Sequence, residues 1–429
     1  MSMICAKSKY AIYLNYINAI ISILFIINCC LSCSQRTVSP LFPCSKNISS
    51  AYGVNCHLSY GEDYNRRYEE LHLMKEIGIN VVRGGAHFHT LGYQHGHFNP
   101  SMMDSIMKSI ESASIPMSGN LSLDAFGKSC WEDKESYARY VDYISGRYNK
   151  KILYWEVANE VDLAMSFDNS PYKYTEVLKY IYPHFKNNGK KNKVLVSGIS
   201  SLGMPFIDSL CSYRAFDYFD IMNFHSYNKP EDLPIHFNEL RTIMDKYGFS
   251  KELWLGECGM HTAPKASTKN ELLERANLEK EQAERLPRIY LISFAYGVNK
   301  VFWYEIRSVE RDAFEREHHF GLLHADLTPK PAYYAYKTLT KMCPDNSTRP
   351  RLERRGKIYV ATWKKTDGKK VWALWTSKTE ERIELNIKGR YRIYNLRGDE
   401  IHKEDNIFAI TPSIVYFVGA KNVDVINNF

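Results

Sequence analysis

Beyond Cys33 the 429-residue chain has no Cys-x-x-Cys pair, so the ligand spacing of a structural zinc site is missing. No Gly-x-Gly-x-x-Gly turn follows its first strand-like segment, which weakens a doubly wound dinucleotide-binding sheet as the fold. Internal repeats and low-complexity tracts are absent, which removes solenoids and prion-like segments. A single stretch near the N-terminus is apolar enough to enter a bilayer, so a multi-spanning protein is excluded. One-signed charge is scarce too: 56 basic against 48 acidic residues leave +8, and the cations read as scattered over a mixed solvated surface rather than gathered into a nucleic-acid groove. What the chain does have is 45% hydrophobic and 14% aromatic residues, enough for a large core in two or three domains.

The apolar stretch reads as an address. Lys7 and Lys9 precede the run Ala19 to Ile27, and the small residues around Cys29 to Cys33 follow it, which is the order of an export signal. Residues 1–32 are therefore set apart from the fold. The Leu31-Ser32-Cys33 ending resembles a bacterial lipoprotein signal, although Cys30 stands where such signals usually carry Leu; the expectation is a lipid-anchored protein of the cell envelope or surface, otherwise a secreted one. The later cysteines, Cys44, Cys56, Cys130, Cys211, Cys258 and Cys343, are widely spaced and read as buried thiols, with no pairing implied.

From residue 51 short apolar runs alternate with amphipathic stretches. Eight strand candidates, Tyr52–Cys56, Ile79–Arg83, Ile115–Asn120, Ile152–Ala158, Val194–Ser197, Asp220–Phe224, Leu253–Gly256 and Lys300–Tyr304, start 26 to 47 residues apart, each interval long enough for a crossover helix. Eight such units predict an α/β fold, a (β/α)8 TIM barrel over residues 51–343, with Pro287 breaking or kinking the long helical stretch Glu271–Tyr296. After Pro344 the period changes to alternation punctuated by turns, which predicts a small antiparallel β-sandwich over 344–429, completed by residues of the 33–50 leader. Trp363, Trp372 and Trp375 read first as its core.

Barrel active sites form at the C-terminal ends of the strands, so polar residues ending an apolar run carry the chemistry. The fourth run ends Trp155-Glu156-Val157-Ala158-Asn159-Glu160 and the seventh Trp254-Leu255-Gly256-Glu257, placing carboxylates on opposite sides of one rim. Two carboxyl groups across a sugar-sized gap are what glycosidic cleavage requires. Neighbours on a regular strand point to opposite faces, so Asn159 and Glu160 both reach the site only if the strand ends irregularly; Glu156 is the fallback acid.

Asn159-Glu160, Glu257, His225-x-Tyr227 after the sixth strand, Arg83 ending the second and Trp303 in the eighth together resemble glycoside hydrolases of clan A, as does the stretch His319 to Tyr333 that closes the barrel. Many members carry Pro after the acid/base Glu where this chain has Val161-Asp162, so no family within the clan is assigned. The resemblance implies a retaining β-glycosidase with Glu160 as acid/base, Glu257 as nucleophile, and Arg83, Asn159, His225, Tyr227 and Trp303 around the sugar, Trp303 as its floor. His57, His87, His89, Trp131 and Tyr304 are possible pocket residues and equally plain structural ones. No metal or organic cofactor is implied, and His87 with His89 lack the accompanying ligands of a zinc site. The expected partner is an oligo- or polysaccharide; the rival reading is a glycan-binding surface lipoprotein on a barrel that does not turn over.

Overall fold

The computed structural model describes residues 37–59, 64–163, 168–265 and 270–428; the expected signal over 1–32 lies outside them. Eight parallel strands close a barrel: β1 Tyr52–Cys56, β2 Val81–Gly85, β3 Met117–Asn120, β4 Ile152–Glu156, β5 Lys193–Leu195, β6 Ile221–His225, β7 Glu252–Cys258 and β8 Lys300–Trp303. Each is hydrogen-bonded to its sequence neighbours, and β8 returns to β1. Helices α1 Tyr64–Glu76, α2 Ser101–Ala113, α3 Lys134–Arg147, α4 Pro171–Asn188, α5 Met204–Ser212, α6 Leu233–Lys246, α7 Glu271–Ala295 and α8 Pro331–Met342 follow the strands in turn. The expected barrel is thus present, with strand ends shifted by one or two residues and α5 added.

The inside of the barrel is layered. Inside the barrel Val81, Leu195, Ile221, Trp254 and Phe302 pack with Tyr154 into a closed apolar plug, the Trp254 ring 4.7 Å from Tyr154 and 5.8 Å from Phe302. Two residues further along each strand the same inward parity delivers Arg83, Glu156 and Asn223, so a polar layer lies on the plug. That parity overturns one expectation. Phe302 and Tyr304 point inward, which turns Trp303 out to the fully buried layer between barrel and helices.

Pro287 does not end its helix: α7 runs through it to Ala295, because residues 286–295 are buried against the barrel and packing outweighs one lost hydrogen bond. All six cysteines in the described residues are free, five of them buried. No helix among the described residues is long and apolar enough to cross a membrane.

Residues from 351 on form a six-stranded sheet, β9 Arg351–Arg355, β10 Ile358–Lys364, β11 Lys370–Thr376, β16 Val415–Val418, β13 Arg392–Tyr394 and β14 Glu400–Ile401, facing a three-stranded one, β15 Ile407–Ile410, β12 Glu381–Lys388 and β17 Asn422–Asn428. Alternation along β11 explains its apolar density: Val371, Ala373 and Trp375 join the barrel core while Trp372 and Leu374 face the second sheet. Trp363 donates Nε1–H to the Met342 carbonyl at 2.8 Å, and the leader lies along the same edge, Val38 N–H bonding the Leu352 carbonyl at 3.1 Å. Trp254→Ala is expected to cost about 3–5 kcal/mol by opening the plug, read as a lower urea midpoint at unchanged slope.

Candidate active site

Arg83 organises the polar layer. Its five N–H groups all donate: Nε to Glu156 Oε2 at 2.5 Å, Nη2 to Glu156 Oε1 at 3.0 Å and Asn159 Oδ1 at 2.7 Å, Nη1 to Asn55 Oδ1 at 2.7 Å and Glu257 Oε1 at 2.6 Å. Glu156 is fully buried beneath it and also accepts from Asn223 Nδ2 at 2.8 Å and the Gly198 N–H at 3.0 Å. That overturns its place as fallback acid: its oxygens are filled and it does not line the cavity. It is the counterion that aims the guanidinium.

Glu257 reaches the layer through an irregularity. Phe224 pairs with Leu255 but His225 pairs with Glu257, so β7 carries one extra residue, a bulge that turns Glu257 inward after Gly256. Its second oxygen accepts from the Tyr227 hydroxyl at 2.6 Å. Burial alone pushes the Glu257 carboxyl up, but the charges of His225 and Arg83 and the hydrogen bonds from Tyr227 and Arg83 outweigh it and hold the group below its ordinary value. The Tyr227 hydroxyl is correspondingly raised, first by burial and then by the Glu257 charge beside it.

Glu160 enters from the end of β4. Ala158 and Glu160 have φ of +65° and +43°, left-handed conformations that break the strand alternation on either side of Asn159. This is how Asn159 and Glu160 both come to line one cavity. Glu160 is the more exposed carboxylate, 26% against 9% for Glu257. His225 lies between them, Nδ1 3.0 Å from Glu160 Oε1 and 3.6 Å from Glu257 Oε2. The ring packs so closely on Gly198 that a Cβ there would stand 1.8 Å from Nε2. Oxygens of Glu160 and Glu257 lie within 4.8 Å of each other and of the His225 nitrogen. A cation could bridge such a triangle, but the guanidinium, phenol and imidazole already supply these carboxylates with positive and donor groups.

The cavity has a volume of about 600 Å³. His57, His87 and Tyr304 line it; His89, Trp131 and Trp303 do not, and His225 acts on it through the two carboxylates. Tyr304 holds the inward position expected of Trp303 and forms an aromatic wall with Tyr227 and Phe320, ring centroids 6.3 and 5.4 Å away. Burial lowers His87 to about 4, leaving it neutral and able to donate Nε2–H to Asn120 Oδ1 at 3.3 Å. His57 is raised: burial opposes the charge, but the hydrogen bond and charge of Glu305 outweigh it.

Sequence reasoning missed Asn55, Asn120, His261, Arg316 and Glu317 in this lining. Asn55 and Asn120 had a signal, since each sits at inward parity in a recognised strand. Arg316 and Glu317 had none, because the 305–330 segment is folded by tertiary contacts: the buried Lys330 donates to Thr262 Oγ1 at 3.1 Å and Ser308 Oγ at 2.9 Å, tying two rim loops together.

Neither a protein-family model nor a curated protein matches the chain. Solved structures do. A family 39 glycoside hydrolase from the gut symbiont Bacteroides cellulosilyticus WH2 superposes with a TM-score of 0.71 at 21% identity, over 87% of this chain and 81% of that one. A glucosidase from Croceicoccus marinus gives 0.63 at 12% over 92% and 99%, and a GH30 endoxylanase from Clostridium papyrosolvens C71 gives 0.58 at 13% over 89% and 99%. At these identities the likeness establishes the shared architecture, barrel and trailing sandwich together.

Replacing Glu156 with Gln removes one of the two carboxylates that balance buried Arg83 and leaves Glu257 alone to do so; a loss of about 3 kcal/mol is expected, checked by denaturant unfolding at neutral pH.

Proposed function

We propose that the chain is a retaining glycoside hydrolase acting on a β-linked oligo- or polysaccharide by double displacement. The observation that carries this reading is the carboxylate pair: oxygens within 4.8 Å, one group buried against Arg83 and Tyr227, the other half-open to the cavity. Retaining enzymes hold their carboxyl groups at about 5–5.5 Å, whereas inverting ones keep about 6.5–9.5 Å to admit a water. The architecture shared with solved glycoside hydrolases adds support.

In the first half of the reaction Glu160 gives its proton to the leaving oxygen while ionised Glu257 attacks the anomeric carbon. Arg83 and Tyr227 keep Glu257 ionised and fix both of its oxygens, so attack needs little reorganisation. Formation of the ester removes the charge from Glu257. Glu160, having given up its proton, then takes one from the water that releases the sugar. Asn159 contributes through a fixed amide: its oxygen is held by Arg83, so its N–H groups face the cavity and can donate to the hydroxyl next to the anomeric carbon. Tyr304 is the ring on which the sugar rests. Hydrolysis by this route uses acid, nucleophile and water alone.

Aryl glycosides test the reading. Wild type is expected to hydrolyse at least one β-aryl glycoside; Glu257→Ala should reduce kcat by more than about 10⁴-fold, and azide should restore part of it as a glycosyl azide. Binding of glycans without turnover of any would instead make the chain a glycan-binding barrel. The pH profile gives a second check. Only ionised Glu257 attacks, and its folded value is depressed, so the acid limb should lie below the ordinary 4.5. Tyr227→Phe removes a donor to the ionised form, so the acid limb should move upward in pH.

A further inference from the structure

We propose that a basic patch on the side of the molecule away from the cavity mouth rests on an anionic lipid surface and turns the active site outward. The reading of evenly scattered charge fails for one segment: residues 344–370 hold nine basic residues and three acidic ones, +6 of the chain's +8. Five cations, Lys46, Arg349, Arg351, Lys364 and Lys370, line one shallow hollow of about 400 Å³ whose single acid is Glu353. Lys364 and Lys370 stand directly opposite each other on β10 and β11, a like-charge pair that costs the sheet stability. No ion pair satisfies either lysine among the described residues, and Lys370 leans over Trp372 at 4.0 Å. Such a conflict between local stability and charge is expected where a surface serves a partner.

The position of the patch follows from the barrel. Arg349 donates to the carbonyls of Phe294 and Val298, at 3.3 and 2.8 Å, around the C-terminal end of α7. Helices in this fold run back from the mouth, so their C-terminal ends mark the opposite side, where Lys300 opens β8. Glu160 and Glu257, at the other ends of their strands, face away from it.

The chain itself names the occupant. Arg351 donates Nη2–H to Thr37 Oγ1 at 2.6 Å and Nε–H to the same oxygen at 3.1 Å, so the leader meets the patch at Thr37. Cys33 is four residues upstream, and four extended residues reach at most about 14 Å. Acylation there would hold the headgroup layer within about 14 Å of Thr37, and the cations that this tether keeps near the layer are attracted to it most strongly at low salt. This inference rests on the lipoprotein reading of the N-terminal segment and not on the proposed hydrolysis.

The test uses the full chain and sedimentation with vesicles of phosphatidylcholine alone or mixed with phosphatidylglycerol. The ratio of the two partition coefficients cancels whatever the upstream apolar segment contributes to both. Wild type should give a ratio well above one at low salt, falling toward one at high salt. In Lys364→Gln/Lys370→Gln the ratio should fall about 25-fold, from about fivefold per cation, while the melting temperature holds or rises because the like-charge pair is gone. Lys365→Gln/Lys369→Gln, at the tip of the same hairpin, provides a second variant. A ratio of one for wild type, or equal ratios for wild type and both variants, overturns the proposal. So does tighter binding to soluble polygalacturonate than to the vesicles, lost in the same variants, which would give the patch to an acidic polysaccharide.

Discussion

A single guanidinium holds this site together. Arg83 is buried with all five donors spent, two on Glu156 below, one each on Asn55 and Asn159 beside it, and one on Glu257 above. A buried cation of this kind is tolerated only where carboxylates and amide oxygens replace water, and its planar fork dictates where each must stand. Four segments far apart in sequence are thereby fixed to within a hydrogen bond of one another. Beside the His225 charge and the Tyr227 hydroxyl, the same contact helps hold Glu257 below its ordinary value, so the group that aligns the site also helps keep its proposed nucleophile ionised.

Around that centre the barrel works by departing from regularity at two places. A regular β7 would send Glu257 outward with Leu255, and the extra residue at the bulge reverses it. A regular β4 would divide Asn159 from Glu160, and two left-handed residues bring them together. The irregularity after β4 lies past its last paired residue, and the β7 bulge has ladder pairs on both sides, so neither breaks the hydrogen bonding that closes the barrel. The apolar plug below stays regular and carries the packing. The apolar plug and the polar layer are separated along the barrel axis, and the charged hollow beside the leader lies away from the mouth.

The trailing sandwich is part of the same body. One face of its larger sheet is continuous with the barrel core through Trp363, Val371, Ala373 and Trp375. Trp375 and the Thr376 carbonyl meet the Glu231–Arg288 pair at the base of the loop that carries Tyr227. The sandwich therefore helps to fix a wall of the cavity that it does not line.

The sequence by itself determined the eight-fold alternation of strand and helix, the change of period after Pro344, and the carboxylates at the ends of the fourth and seventh strands, because hydrophobic periodicity and turn residues are local properties. It also placed Arg83, His225 and Tyr227 toward the same rim. Only the tertiary structure decided which residues face the cavity. Parity is lost at a bulge or a strand end, and a slip of one residue exchanged Trp303 for Tyr304, while Glu156 points inward but lies too deep beneath Arg83 to line the cavity. His89 and Trp131 fell outside the lining, and Arg316 and Glu317 inside it, for a related reason: rim loops take their shape from distant contacts such as those of Lys330, and no period in the chain records them.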